Sequence, residues 1–294
     1  MAQSLFDKSI NASDRDYITL VRHPTKFKSE RAFVDSLWQK YAPFADKHFQ
    51  TECGKAFLQR YWEMYLTMSL EKQGFGIESK DHGPDVRISK DEHVCWVEAI
   101  AATAGSGPDA VPEMKHDGTA WRVPNEQIIL RLTSAFVEKF GKYEKYLAKN
   151  IVGPNDPFVI AINGRGIPFW QVCPNLPRIV SAVLPFGSQY VTINKKTLKA
   201  VDSGFQHRPE IPKQSGSMVP TTAFEGPRFA GISAVLYSSA SVWSRPLELG
   251  HLTYLIHNPH AKNPIPRGFI KVATEYWAAG GKLKGITSSK VNPA

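Results

Sequence analysis

The chain has 294 residues, 42% of them hydrophobic, with 36 Lys+Arg against 27 Asp+Glu and a formal net charge of +9. That length accommodates one large domain or two modest ones with a sizeable core, and the composition excludes a disordered or fibrous chain. No run approaches the roughly 20 apolar residues of a membrane span, and the basic excess suits a polyanionic partner such as nucleic acid.

In chain order, residues 1–28 read as a polar, irregular strap. Residues 29–47 have helical spacing at Phe33, Leu37 and Tyr41 and stop at Pro43, so 1–49 forms an N-terminal helical arm. A long helix is expected from Thr51 to Gln73, closed by Gly74. Phe57, Tyr61, Tyr65 and Met68 form one apolar row on it, and Leu58, Trp62, Leu66 and Leu70 another. Such a helix is packed on more than one side. Glu63 lies only about 20° around the wheel from Leu70, at the edge of the buried arc, with Arg60 and Thr67 on the open face.

A short strand at Phe75-Gly76-Ile77 leads into GPDVRISKDEHVCWVEAIA, residues 83–101. Asp85–Ile88 and Val94–Ala101 alternate as strands around a polar turn. A turn centred between Asp91 and Glu92 sets Ser89 opposite Val94, Arg87 opposite Trp96 and Asp85 opposite Glu98. Val86, Ile88, Cys95, Val97, Ala99 and Ala101 then make one apolar face. Two carboxylates facing each other are destabilising unless a positive charge intervenes, and a divalent cation with oxygen ligands is one such charge.

A Gly/Pro-rich loop follows, too long for a plain connector; Asp109 and Glu113 within it are poor site candidates. Residues 125–150 read as the second long helix, with Ile128, Ile129, Leu132, Ala135, Phe136, Phe140, Tyr143 and Leu147 on its apolar face. Arg131, Lys142, Lys145 and Lys149 form a basic stripe on neighbouring turns. Lys139 falls in the middle of the apolar face, where a lysine must snorkel or find a carboxylate. Pro157 to Asn163 has the near-continuous apolar run of a buried central strand. Beyond it the expectations are a short helix at 176–184, strands at 190–194, 230–242 and 252–257, a loop-like 203–228, and a mobile tail from 283.

The assembled residues resemble the PD-(D/E)XK nuclease superfamily, whose fold is restriction-endonuclease-like. Pro84-Asp85 matches the Pro-Asp at the start of the second strand, and Glu98-Ala99-Ile100 supplies the acid of Glu/Asp-x-Lys. Ile100 stands where the lysine belongs, and Lys139 is placed where some members relocate it. The resemblance implies an α/β fold with a helix, three-stranded meander, helix and strand over 50–165. Residues 166–294 would be a β-rich extension of the sheet or a small accessory region. It also implies Mg²⁺ or Mn²⁺ held by Asp85, Glu98 and the Ala99 carbonyl, with Glu63 binding a second ion or its water shell. Lys139 would orient the attacking water or neutralise phosphate charge, while Arg131, Lys142, Lys145 and Lys149 would hold backbone phosphates. DNA, or RNA in its place, is the partner so implied. Such nucleases often cut as dimers, although no zipper or exposed apolar stripe marks a homodimer in the sequence. The rival expectation is a catalytically idle member that binds nucleic acid or protein.

Other chemistry is not signalled. There is no GxxxxGKS loop, GxSxG elbow, HExxH or GxGxxG. Cys53, Cys95 and Cys173 are scattered and odd in number, pointing to reduced thiols rather than disulfides or zinc. His251, His257 and His260 read as scattered surface or capping residues, and Gly164-Arg165-Gly166 as a structural turn. With no signal-peptide core at the start, a soluble cytoplasmic protein is expected.

Overall fold

The computed structural model describes residues 4–79, 83–115, 117–118, 120, 122–172, 174–244, 249–250 and 252–288; Cys173 and His251 fall outside them. Helices α1 (Arg15–Arg22), α2 (Lys28–Tyr41), α3 (Phe49–Cys53) and α4 (Phe57–Lys72) come first. Strands β1 (Gly76–Glu78), β2 (Val86–Lys90) and β3 (His93–Thr103) form a meander, followed by α5 (Asn125–Ala148) and β4 (Phe158–Gly166). Next come α6 (Arg178–Val183), the ribbon β5 (Phe186–Ile193) and β6 (Ala200–His207), and the small pair β7 (Glu210–Pro212) and β8 (Met218–Pro220). Strands β9 (Ala234–Ser238), β10 (Leu252–His257), β11 (Val272–Ala279) and β12 (Lys282–Thr287) complete the chain.

The result is a mixed α/β architecture built on one eight-stranded sheet, ordered β1-β2-β3-β4-β9-β10-β11-β12. β1, β2 and β3 are antiparallel neighbours, whereas β4 runs parallel to both β3 and β9. Helices cover both faces. Val86, Ile88, Cys95, Val97, Ala99, Val159 and Ala161 pack in one core with Tyr61, Trp62, Tyr65 and Leu66 of α4. Trp96, Ile100, Ile160 and Ile162 pack in the other with Ile129, Leu132 and Phe136 of α5. Being covered on both sides is why β4 reads as a near-continuous apolar run, and why β3, expected to alternate, is buried on both faces through its middle. Trp62 fastens α4 to the sheet by donating its indole N–H to the Ala161 carbonyl at 3.0 Å.

The hairpin adopts the expected register, with Arg87 opposite Trp96, Ser89 opposite Val94 and Lys90 opposite His93. α5, β4 and β10 form where the periodicity places them. Elsewhere the structure corrects the sequence. Residues 1–28 are not an irregular strap: Leu5, Phe6, Tyr17 and Leu20 are buried, and α1 is capped by Asp14. The expected helix over 51–73 is broken at Gly54-Lys55-Ala56, because Gly54 packs against Ile10 and its carbonyl accepts the Ser13 and Asp14 N–H groups. Thr67 is buried rather than on an open face, its hydroxyl donating to the Glu63 carbonyl at 2.8 Å. The 203–228 region is not simply a loop, since it holds the end of β6 and the β7–β8 pair. The strand expected over 230–242 is confined to β9, and the tail expected to be mobile contributes β12, paired antiparallel with β11.

Candidate active site

Hydrogen-bonding geometry at the end of β2 creates the site. In β3 the backbone groups of Cys95, Val97, Ala99 and Ala101 point toward β2, but the β2 ladder ends at Val86 opposite Val97. Two side chains replace the missing strand. Asp85 accepts the Ala99 N–H through Oδ2 at 2.6 Å. Gln59, from the first turn of α4, accepts the Ala101 N–H at 2.6 Å and donates to the Ala99 carbonyl at 3.3 Å. Buried backbone groups need partners, and here the partners are the chemical groups of the site.

Glu98 projects from the same stretch of β3 toward α5 and is 1% exposed. Its Oε1 accepts from Lys139 Nζ at 2.7 Å and Lys142 Nζ at 3.1 Å, and its Oε2 from the Tyr146 hydroxyl at 3.2 Å. Lys139 is 4% exposed; a lysine that deep is stable as a cation only against a carboxylate, and Glu98 is that carboxylate. Lys139, Lys142 and Tyr146 lie at i, i+3 and i+7, so one stripe of α5 delivers all three. On the α4 side, the Glu63 carboxylate accepts from Gln59 and from Arg60, each at 2.8 Å. Arg60 also pairs with Glu52 and Asp46. It is thus an internal link of the site and not a residue of an open face.

Among the described residues, Asp85 is the carboxylate of the site without an ion pair. Burial, then the charges of Glu98 and Glu63, push its carboxyl well above the ordinary range, against the pull of Lys139 and the Ala99 N–H. Burial likewise raises Glu63, offset in part by Arg60, Gln59 and Lys139. Burial and the facing Glu98 charge raise the Tyr146 phenol. For Lys142, burial opposes the charge but Glu98 outweighs it and raises the ammonium.

All four expected catalytic residues, Glu63, Asp85, Glu98 and Lys139, therefore belong to one electrostatic cluster. Among the described residues, however, no three His, Cys, Asp or Glu side chains are gathered as a ready cation site. The donor set is nonetheless one of hard oxygens. Asp85 Oδ1 has no hydrogen-bond partner among the described residues, and the Ala99 carbonyl is held only by the 3.3 Å bond from Gln59. This chemistry fits a divalent ion, on condition that Lys142 and Tyr146 release Glu98. Lys142, its side chain 45% exposed, is free to move, whereas the buried Lys139 is not.

The basic stripe divides. Lys145 and Lys149 face solvent, Arg131 donates to the Thr103 carbonyl at 3.0 Å, and Lys142 is drawn to Glu98. His257 pairs with Glu275 at 2.8 Å. Gly164 and Gly166 close the end of β4 where Tyr237 and the Ala102 carbonyl leave no room for a side chain. Gln59 and Tyr146 escaped the sequence reading. Gln59 stands four residues before Glu63 and Tyr146 four after Lys142, and that spacing was the available signal. Among the described residues no helix is long and apolar enough to cross a membrane. Comparison with known protein families, curated proteins and solved structures gives no match.

Proposed function

We propose that this chain is a Mg²⁺-dependent nuclease of restriction, defence or repair type that hydrolyses DNA phosphodiester bonds on a restriction-endonuclease-like core. The observation that carries the reading is the meeting of Asp85, Glu98 and Lys139 where β2 gives out, with Lys139 Nζ 2.7 Å from Glu98. The order α4, β1-β2-β3 meander, α5 and parallel β4 supports it, since this is the core the Pro84-Asp85 and Glu98 resemblance implies.

Asp85, Glu98 and the Ala99 carbonyl would hold the ion, which when bound supplies Lewis acidity toward the scissile phosphate and a water of lowered pKa. Asp85, with no cation beside it among the described residues, would gain most from the ion, whose charge would favour its ionised form. Gln59 fixes the Ala99 and Ala101 backbone and so sets where the carbonyl points. Lys139, rigid and charged beside Glu98, orients the attacking water and stabilises negative charge growing on the phosphate oxygens. Glu63 acts through Gln59 and Arg60, holding both in place. Lys145 and Lys149, with no ion pair among the described residues, are available to backbone phosphates.

A second reading is a nucleic-acid-binding module that has lost catalysis. It is favoured by the existing ion pairs, in which Arg60 holds Glu63 and both Lys139 and Lys142 hold Glu98 without a metal. Plasmid and single-stranded DNA, incubated with Mg²⁺ or Mn²⁺, decide between them. The nuclease reading expects cleavage by the native chain and none by Asp85→Asn or Lys139→Gln, each shown to be folded by its thermal melt. It also expects calorimetric Mn²⁺ binding that strengthens in Lys142→Ala, because a competing cation is gone. DNA binding with neither metal uptake nor cleavage would establish the idle module.

A further inference from the structure

The ribbon β5–β6 stands apart from the rest of the molecule in what it exposes. Among the described residues nine large apolar side chains are prominently exposed, and five of them, Tyr190, Val191, Ile193, Leu198 and Val201, lie on this ribbon. Its base is anchored: Phe186 is buried and packs edge-on against Phe205, and the Ser181 hydroxyl of α6 donates to the Phe186 carbonyl at 2.7 Å. From that base the strands run outward with every residue from Ser188 to Ser203 exposed. The tip is built rather than loose. The Leu198 N–H donates to the Asn194 carbonyl at 2.8 Å, and the Asn194 side chain accepts the N–H groups of Lys196 at 2.9 Å and Thr197 at 3.1 Å.

Two features of the tip point to a ligand. Leu198 is 80% exposed and has a φ of 53°, a left-handed backbone in which a bulky L-residue is strained and glycine or asparagine is the ordinary choice. Neither exposure nor turn stability accounts for a leucine there. Around it stand Lys195, Lys196 and Lys199, all exposed and without an ion pair among the described residues. The one acidic group of the ribbon, Asp202, is engaged by the Tyr190 hydroxyl at 3.0 Å.

We infer that the β5–β6 ribbon is an arm that grips duplex DNA, its tip lysines on the phosphates flanking a groove and Leu198 against the base edges. A two-stranded ribbon fits the B-form major groove, where an apolar side chain can contact the thymine methyl group on a base edge. Lys195, Lys196 and Lys199 give the arm a local charge opposite to the DNA backbone, and the same lysines disfavour tip-to-tip contact between two copies of this chain. The arm prefers DNA to double-stranded RNA, whose A-form major groove is too deep and narrow to admit it. The inference rests on the nuclease reading only for what the captured DNA is used for.

The test is fluorescence anisotropy of a labelled DNA duplex with the full chain in metal-free buffer, so that binding is read without cleavage. Compared with the native chain, Lys195→Ser/Lys196→Ser/Lys199→Ser is expected to bind on the order of tenfold or more weakly. Its log–log salt slope falls by about 0.9 for each lysine that contacts a phosphate. Leu198→Gly relieves the backbone strain, so it melts no lower than the native chain yet binds duplex more weakly. Lys8→Ser/Lys28→Ser/Lys40→Ser, which removes three exposed lysines of the N-terminal segment, serves as the reference: it binds close to native strength, because those lysines belong neither to the arm nor to the site. Native-strength duplex binding by both ribbon variants overturns the arm and leaves the nuclease untouched. Lost binding in the ribbon variants of a chain that cleaves nothing keeps the arm and removes the nuclease. Unchanged DNA binding combined with a native dimer that Leu198→Gly dissociates would assign the ribbon to self-association instead.

Discussion

Among the described residues Asp85 has one hydrogen bond, from the Ala99 N–H, and it lies near two other carboxylates. Its native pKa lies above the unfolded value of about 3.9. As pH rises from that value, the unfolded chain gives up the proton first and the native state is progressively disfavoured, until Asp85 itself ionises. Asp85→Asn keeps an oxygen for Ala99 and removes the charge. It should melt higher than the native chain at pH 7, with the advantage disappearing below about pH 4; thermal melts across that range check it. Lys139 behaves oppositely. Lys139→Ala leaves Glu98 buried with only the exposed Lys142 and the Tyr146 hydroxyl and should cost about 3–5 kcal/mol in urea unfolding, much of it restored by adding Glu98→Gln. Lys139 was legible in the sequence because a charge at an apolar position has few physical explanations, and Asp85 and Glu98 because the hairpin register sets two carboxylates opposite each other. Gln59 and Tyr146 were not, because neutral polar residues near a helix surface have many. That Lys142 turns to Glu98 instead of solvent depends on the angle between α5 and β3, which no one-dimensional pattern encodes.

At the level of elements, Asp14 joins two helices. One oxygen accepts the N–H groups of Asp16 at 2.9 Å and Tyr17 at 3.1 Å, and the other accepts the Phe57 N–H at 3.0 Å. A single carboxylate thus caps α1 and α4, and α4 carries Gln59 and Glu63. Asp14→Ala should cost about 2 kcal/mol, twice a typical cap. Asp14→Asn, which keeps one accepting oxygen, should lose roughly half as much on the same scale; equal losses in urea titrations would contradict the shared cap. The elements that could be read from sequence, α5, β4 and the β2–β3 hairpin, bury a periodic face against a neighbour. Those that could not be read lack such a face. α1 buries only Tyr17 and Leu20, and β12 buries no residue, relying on hydrogen bonds to β11. β6 is exposed through most of its length and exists by pairing with β5. Strands held by backbone pairing alone leave little hydrophobic trace.

One eight-stranded sheet spans the molecule, and the proposed nuclease core, which stops at β4, does not end at its edge. β4 pairs with β9 across a parallel ladder from Val159 opposite Ala234 to Asn163 opposite Ser238. The Gln73 side chain, at the end of α4, donates to the carbonyls of Gly250 at 2.9 Å and Lys271 at 2.8 Å and accepts the Lys271 N–H at 2.8 Å. A chain truncated after residue 166 would present the apolar β4 as an open edge. It should elute from size exclusion as soluble aggregate, whereas a compact monomer with native circular dichroism would show that the core folds alone.

That ladder also has a history in time. β4 leaves the ribosome well before the strand that completes it, and at about 5–20 residues per second the roughly 75 residues between Phe158 and Ala234 take about 4–15 s to make. Helices, the meander and β4 itself can assemble in far less. For those seconds a nascent chain that already holds Asp85, Glu98 and Lys139 has the middle of its sheet unpaired on one side. The interval, rather than the final stability, is when this protein most needs a chaperone, and slower translation between β4 and β9 should lengthen its exposure.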